Sequence, residues 1–146
     1  MSIELLKRAE EIVNASTMQN REAPGVDWVM SVIDEEGYPA ASMITAAKAE
    51  GFKWIAFCTG LGWNKPNRIN KNPKTSIYLF DEKSFTGISL VGKTEVITDL
   101  EVKKAVWFDD LGDSFTDPSD ERLCVLKFKP EKYNIFIDGS TIRGKF

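Results

Sequence analysis

The 146-residue chain contains no histidine. That absence removes Ser-His-Asp and Cys-His nucleophilic catalysis, histidine-ligated haem and histidine-containing zinc sites together. It also removes the commonest general base near neutral pH, which favours chemistry supplied by a cofactor. Cysteine is scarce. Cys58 and Cys124 lie far apart, form no Cys-x-x-Cys spacing, and sit in the apolar runs Phe57-Cys58-Thr59 and Leu123-Cys124-Val125. Both are expected as buried small hydrophobes in a reducing, cytoplasmic compartment. No apolar run approaches the length of a membrane span, and Met1-Ser2-Ile3-Glu4 opens without an apolar signal core, so no membrane partner is expected. A basic excess is missing too. Nineteen Lys+Arg against 22 Asp+Glu give a net charge of −3, which argues against a general nucleic-acid binder.

What is present is ordinary globular material. Hydrophobic residues make up 42% and charged residues 28% of the chain, and the length suits a single domain over 1–146 with a proper core. Ser2 to Ala15 reads as a helix, with Ser2 as its cap and Leu5, Leu6, Ala9, Ile12 and Val13 on one face. A polar loop with Pro24 and Gly25 follows. Strands are expected over Asp27–Asp34, Tyr38–Ala47 and Phe52–Thr59, the first two joined by an Asp34-Glu35-Glu36-Gly37 hairpin turn. The third has almost no polar break, as a strand buried on both faces would.

Asn64 then reads as an N-cap, Pro66 fits a first helical turn, and Asn72-Pro73 ends the short helix. Thr75–Phe80 and Gly87–Thr98 are the next strands. Asp99 caps a third helix, an acidic loop runs from Asp109 to Glu121, and a last strand pair, Leu123–Lys129 and Tyr133–Asp138, bends at Pro130. About six strands with three short helices and no βαβ alternation favour an antiparallel barrel or sandwich.

The richest stretch for chemistry is FCTGLGWNKPNRI, residues 57–69. A buried strand delivers Thr59 to a glycine-containing turn, which opens a helix bearing Asn64, Lys65 and Arg68. Free N–H groups at a helix start, a hydroxyl and nearby cations are what a phosphate monoester needs. The Walker pattern fails for want of Gly-Lys-Ser/Thr. The dinucleotide fingerprint fails because Lys65 stands where a third glycine belongs. Taken alone, such a pattern is more often a plain turn followed by solvated cations.

Longer stretches carry more. From Gly51 to Trp107 the chain resembles the pyridoxamine 5′-phosphate oxidase-like family, the flavin-binding split barrels, through the order of features in GFKWIAFCTGLGWNK, NRINKNPKTSIYLF and LVGKTEVITDLEVKK. DEEGYPAASM and KPEKYNIF extend the resemblance more loosely over nearly all the chain after the first helix. The resemblance implies a mainly β (α+β) fold, a six-stranded antiparallel Greek-key split β-barrel with short flanking helices. It implies FMN as cofactor, held in a cleft between the subunits of a homodimer. It also implies site residues. Ser42, Met43, Ile44 and Thr45 match the strand that lines the flavin, Cys58 and Thr59 match the pair ending the next strand, and Asn64 and Lys65 match the phosphate grip. The family often has arginine where Asn64 stands, a contact that Arg68 can replace.

Some features depart from the true oxidase. Its flavin-touching glutamine falls near Gly87, its late tryptophan falls at Phe136, and its terminal Arg-Leu-His-x-Arg motif is replaced by STIRGKF, with Arg143 alone. Pyridoxamine phosphate oxidation is therefore not expected, and the general-stress-protein-like and nitroimidazole-reductase-like branches match better. The resemblance implies an FMN-dependent oxidoreductase with a small-molecule electron donor and acceptor. A flavin-binding sensor or carrier without turnover, and a barrel holding a deazaflavin, stand as alternatives. No catalytic acid or base is visible.

Among the other residues, Trp28, Trp54 and Trp107 read as core or interface aromatics. Trp63, in a turn of glycines and polar residues, suits packing or a cover over the flavin. The acidic loop does not fit an EF-hand and reads as solvated, with no metal site. Lys93 and Glu95 read as a surface pair.

Overall fold

A computed structural model describes residues 2–20 and 28–146. Asp27, Pro24 and Gly25 lie outside the described residues. The first helix, α1, spans Ser2–Ala15, so Ser2 is its first helical residue rather than its cap. Ala9 and Val13 are fully buried, and Leu5, Leu6 and Ile12 pack against the same core. The helix is tied to its own barrel. Asn14 Oδ1 accepts from the Gly51 N–H at 2.8 Å, and Glu10 Oε2 accepts from the Phe52 N–H at 3.1 Å. Gly51 has φ +54°, and a Cβ there would lie 2.1 Å from the Glu10 carboxylate, so the turn requires glycine.

Among the described residues, eight strands form one antiparallel sheet: β1 Trp28–Ile33, β2 Pro39–Ile44, β3 Ala46–Glu50, β4 Trp54–Gly60, β5 Lys74–Asp81, β6 Thr86–Ile97, β7 Leu123–Ile137 and β8 Ser140–Lys145. Their order is β2-β1-β5-β6-β7-β4-β3, with β8 added beside β7. The two ends of that path, β2 and β3, are halves of one segment broken at Thr45. The first half pairs with β1 and the second with β4. The sheet thus curls into a split β-barrel, flanked by α1, α2 (Asn64–Lys71) and α3 (Leu100–Val106).

The barrel interior holds Trp28 edge-on to Phe57, with ring centroids 5.8 Å apart, together with Met30, Ile55, Phe128 and Ile135. β4 is buried on both faces, as its unbroken apolar run implies. Ile55 and Phe57 point into the barrel, while Ala56 packs with Val125 and Val106 beneath α3. Asp99 caps α3 by accepting from the Val102 N–H at 3.2 Å. Among the described residues, no helix is long and apolar enough to cross a membrane.

Three differences from the expected strands have local causes. The Tyr38–Ala47 strand divides, because its two halves serve opposite edges of the barrel. The Leu123–Asp138 pair is one strand, because Pro130, which lacks an N–H, sits at a register shift opposite Val91 and Gly92 and bends the strand without ending it. β8 adds a strand after Asp138 (φ 54°) and Gly139 (φ 73°), which turn the chain back on itself.

The shift at Gly92 leaves no room for a side chain, since a Cβ there would lie 2.0 Å from the Lys129 carbonyl oxygen. Gly92→Ala is expected to destabilise the fold by about 1–3 kcal/mol through overpacking against backbone. Chemical denaturation checks this, and an unchanged midpoint would show that the bulge accommodates a methyl group.

Candidate functional site

α2 leaves the end of β4 through Gly60, Leu61 and Gly62. Asn64 is its first helical residue, and Trp63 occupies the cap position with no side-chain cap hydrogen bond, so the expected Asn64 cap is displaced by one residue. Pro66 and Ile69 are buried and anchor the helix to the barrel. The early N–H groups of Asn64 and Lys65 have no carbonyl partner within the helix, Pro66 offers none, and no acidic residue lies in the first turn. The helix therefore starts as a positive, unsatisfied end.

Facing that end is β2, an edge strand with Pro39, Ala41, Ser42 and Met43 exposed. Between them lies a cleft of about 300 Å³. Ser42, Thr59, Asn64, Lys65 and Arg68 all line it, and the small side chains of Ala40 and Ala41 keep its wall open. Five of the nine residues singled out from sequence are thus brought together. The side chains of Ser42, Thr59, Asn64 and Lys65 make no hydrogen bond or salt bridge with the described residues. Burial, and secondarily the charge of Arg68, push the Lys65 ammonium below its ordinary value. Arg68 is different: its Nε donates to Glu35 Oε1 at 3.1 Å, which raises the guanidinium value and lowers that of the Glu35 carboxyl. Glu35 is largely exposed, so this pair orients Arg68 more than it stabilises the fold.

The other four residues lie elsewhere, and strand alternation accounts for Met43 beside Ser42 and for Cys58 beside Thr59. Met43 is 64% exposed on the outer face of β2, Ile44 is buried in the barrel core, and Thr45 is half-buried at the break before β3. Cys58 points to the opposite side of β4 from Thr59 and packs beneath α3.

Trp63 both lines the cleft and packs. Its indole covers Gly60, where a Cβ would lie 2.4 Å from the ring, and stands 6.0 Å from the Phe115 ring. Phe115 belongs to the acidic stretch, which is ordered rather than merely solvated. The Asp120 carboxylate accepts from the Thr116 N–H and from the Arg122 N–H, Nε and Nη2. These bonds, led by Arg122, hold its carboxyl far below the usual range. Beneath it, Lys103, only 4% exposed, donates from Nζ to the carbonyls of Asp120 (2.9 Å) and Leu123 (3.2 Å).

An antiparallel barrel closed by one divided strand, with a cationic cleft where that strand meets a helix start, defines a split β-barrel protein. The chain belongs to the pyridoxamine 5′-phosphate oxidase family, whose pattern it matches over residues 24–136. Solved structures are similar throughout. A Clostridium acetobutylicum protein related to general stress protein 26 superposes with a TM-score of 0.80 at 24% identity, over 98% of this chain and 95% of that one. A pyridoxamine 5′-phosphate oxidase-related, FMN-binding protein from Nostoc punctiforme gives 0.70 at 15% identity, over 97% and 86%. An F420 reductase gives 0.59 at 16% identity, over 74% and 88%. At these identities the likeness is one of fold. No curated protein matches the chain.

Burial pushes the Cys58 thiol up to about 12 and the Cys124 thiol up to about 11, from an ordinary 9.0. Neutral thiols are therefore favoured by the fold, and the stability they contribute below pH 9 is lost as pH rises from 9 towards these values. At pH 8 both cysteines are expected to resist iodoacetamide in the native protein and to react once it is unfolded. Mass spectrometry of the alkylated chain checks this. Rapid native labelling of Cys58 would show that its face of β4 opens.

Proposed function

We propose that this protein binds FMN, with the phosphate in the cleft at the start of α2, and acts as an FMN-dependent oxidoreductase. The observation that carries this reading is the convergence of unpartnered donors on one cleft. The side chains of Ser42, Thr59, Asn64 and Lys65 and the free helix N–H groups meet there, with no acidic side chain among the described residues that line it. Such a set fits a phosphate monoester, which accepts many hydrogen bonds and carries about two charges.

The flavin, when bound, supplies the hydride or electron transfer. This chain supplies grip, orientation and exclusion of water. Thr59 and Lys65 hold the phosphate from the barrel side, Arg68 adds charge while held by Glu35, and exposed Met43 and half-buried Thr45 extend the surface along which the rest of the cofactor lies. Free thiols at Cys58 and Cys124 suit a reducing cytoplasm.

The reading includes a homodimer. The outer face of the sheet carries exposed Met43, Tyr78, Phe80, Phe85 and Phe136. Phe85 stands edge-on to Phe80 at 5.2 Å and to Phe136 at 6.2 Å, and its backbone has φ 51°. An aromatic patch of this kind suits an interface with a second copy of the chain. Phe85→Glu/Phe136→Glu is expected to convert a dimer to monomers in light scattering behind size exclusion. A dimer unchanged by both charges would place the interface elsewhere.

The direct test is the visible absorption spectrum of purified protein, followed by acid release and mass measurement of the chromophore. FMN near one per chain is expected. A deazaflavin would retain the site and change the cofactor, and a protein that is colourless and fails to take up added FMN would overturn the reading. Lys65→Ala is expected to cost about 1.5–3 kcal/mol of FMN affinity, more than tenfold, as loss of a charged contact. Because a bound anion favours the ammonium form, wild-type affinity should fall as pH rises through the lowered Lys65 value. Titration calorimetry of both proteins reads both effects.

A further inference from the structure

The outer face of the sheet holds a second cationic feature that the cleft does not use. Adjacent strands place Lys74 opposite Lys93, and Lys93 opposite Lys129. Beyond the Pro130 bulge, Lys132 stands opposite Lys145. All five are exposed, and none makes a salt bridge among the described residues. Glu95, expected to pair with Lys93, forms no salt bridge with it. Like charges directly opposite in a sheet are destabilising, and here a chain with a net negative charge leaves a run of them without a salt-bridge partner among the described residues.

The run borders a groove of about 540 Å³. Lys74, Lys93 and Lys132 line it, and Glu131 is the one carboxylate among the described residues that do so. Ser31 and Ser76, register partners on β1 and β5, offer hydroxyls that have no partner among the described residues, while Ile33, Pro39 and Val91 add apolar wall. From Lys74 to Lys129 the lysine row crosses two strand spacings, about 10 Å. That is room for two phosphate groups side by side, and an ammonium point charge suits each. We propose that this groove is a second anion site, for a small molecule carrying two or more phosphate groups. The assignment stands on these residues alone and does not rest on flavin in the cleft.

The test titrates the whole protein with inorganic pyrophosphate and, separately, with NADPH at low ionic strength. The proteins compared are wild type, Lys93→Gln/Lys132→Gln and Lys65→Ala. Both ligands are expected to bind wild type, to weaken more than tenfold in the double glutamine variant, and to be unaffected by Lys65→Ala. Tighter binding of NADPH would assign the apolar wall to the nucleotide body, and equal affinity would assign the site to the diphosphate itself. Lys93→Arg/Lys132→Arg keeps the charge and should keep binding, which separates charge loss from altered packing. FMN titration of the same variants is expected to show the opposite pattern, so either reading can fail without the other. Equal diphosphate affinity in wild type and the glutamine variant would overturn the proposal, as would loss of binding in Lys65→Ala, which would put the diphosphate in the cleft. A short single-stranded oligonucleotide binding more tightly than either small molecule would also overturn it.

Discussion

The structure depends on the division of one extended segment, Pro39–Glu50, between the two edges of the sheet. An open sheet of this size would expose two strand edges with unpaired N–H and C=O groups, a template for aggregation. Breaking the segment at Thr45 lets β2 pair with β1 and β3 pair with β4, so one short segment forms both edges and holds them together, each keeping one unpaired side. α1 then secures the far end, where Glu10 and Asn14 hold the turn between β3 and β4. The division has a consequence for chemistry. Once Ile44 has turned into the barrel, the preceding residues of β2 are left exposed among the described residues, and they form one wall of the cleft.

The opposite wall owes its character to what the start of α2 lacks. No side chain caps it, no acid lies in its first turn, and Pro66 makes one of its early positions incapable of donating. The remaining N–H groups stay available, with Lys65 above them in partial burial. A protonated amine held where burial disfavours its charge gains from an incoming anion, because the opposite charge offsets the desolvation that lowers its value. Glu35 holds Arg68 by one edge of its guanidinium only, through Nε, leaving the forked end free of that carboxylate.

Much of this was legible in the residues. The apolar periodicity of Leu5 to Val13, the unbroken run in β4, the Asp99 cap and the loop-to-helix passage from Thr59 to Arg68 each carry a local signal, and each leads to the observed element. The gathering of Ser42 with Thr59, Asn64, Lys65 and Arg68 depended on the family resemblance, since no spacing rule links β2 to α2. What escaped is non-local. Nothing around Thr45 marks a break, because the cause lies in the two different partner strands. Pro130 reads as a stop, but the matching absence of a side chain at Gly92 lets the strand pass. β8 is polar and short, and its one signal, Asp138-Gly139, is a hairpin turn whose second strand has little burial to pattern it.

The acidic stretch shows how such non-local effects reach the cleft. Its carboxylates suggest a solvated loop, yet its order comes from beneath, from a lysine on α3. Burying the Lys103 ammonium is tolerable only because the carbonyls of Asp120 and Leu123 receive its hydrogen bonds, and those bonds fix the loop's return to β7. Asp120 then gathers Thr116 and Arg122, Arg122 lies over Phe115, and Phe115 stands against the indole that lines the cleft. The Leu61 N–H, in the turn after Thr59, donates to the Arg122 carbonyl and ties the same loop to the strand end. Trp63 is thus held by two routes, one through the ring of Phe115 and one through the backbone of its own turn. A side chain that is 56% exposed keeps a defined place over Gly60 because the loop beside it is ordered by one buried charge on another element, Lys103.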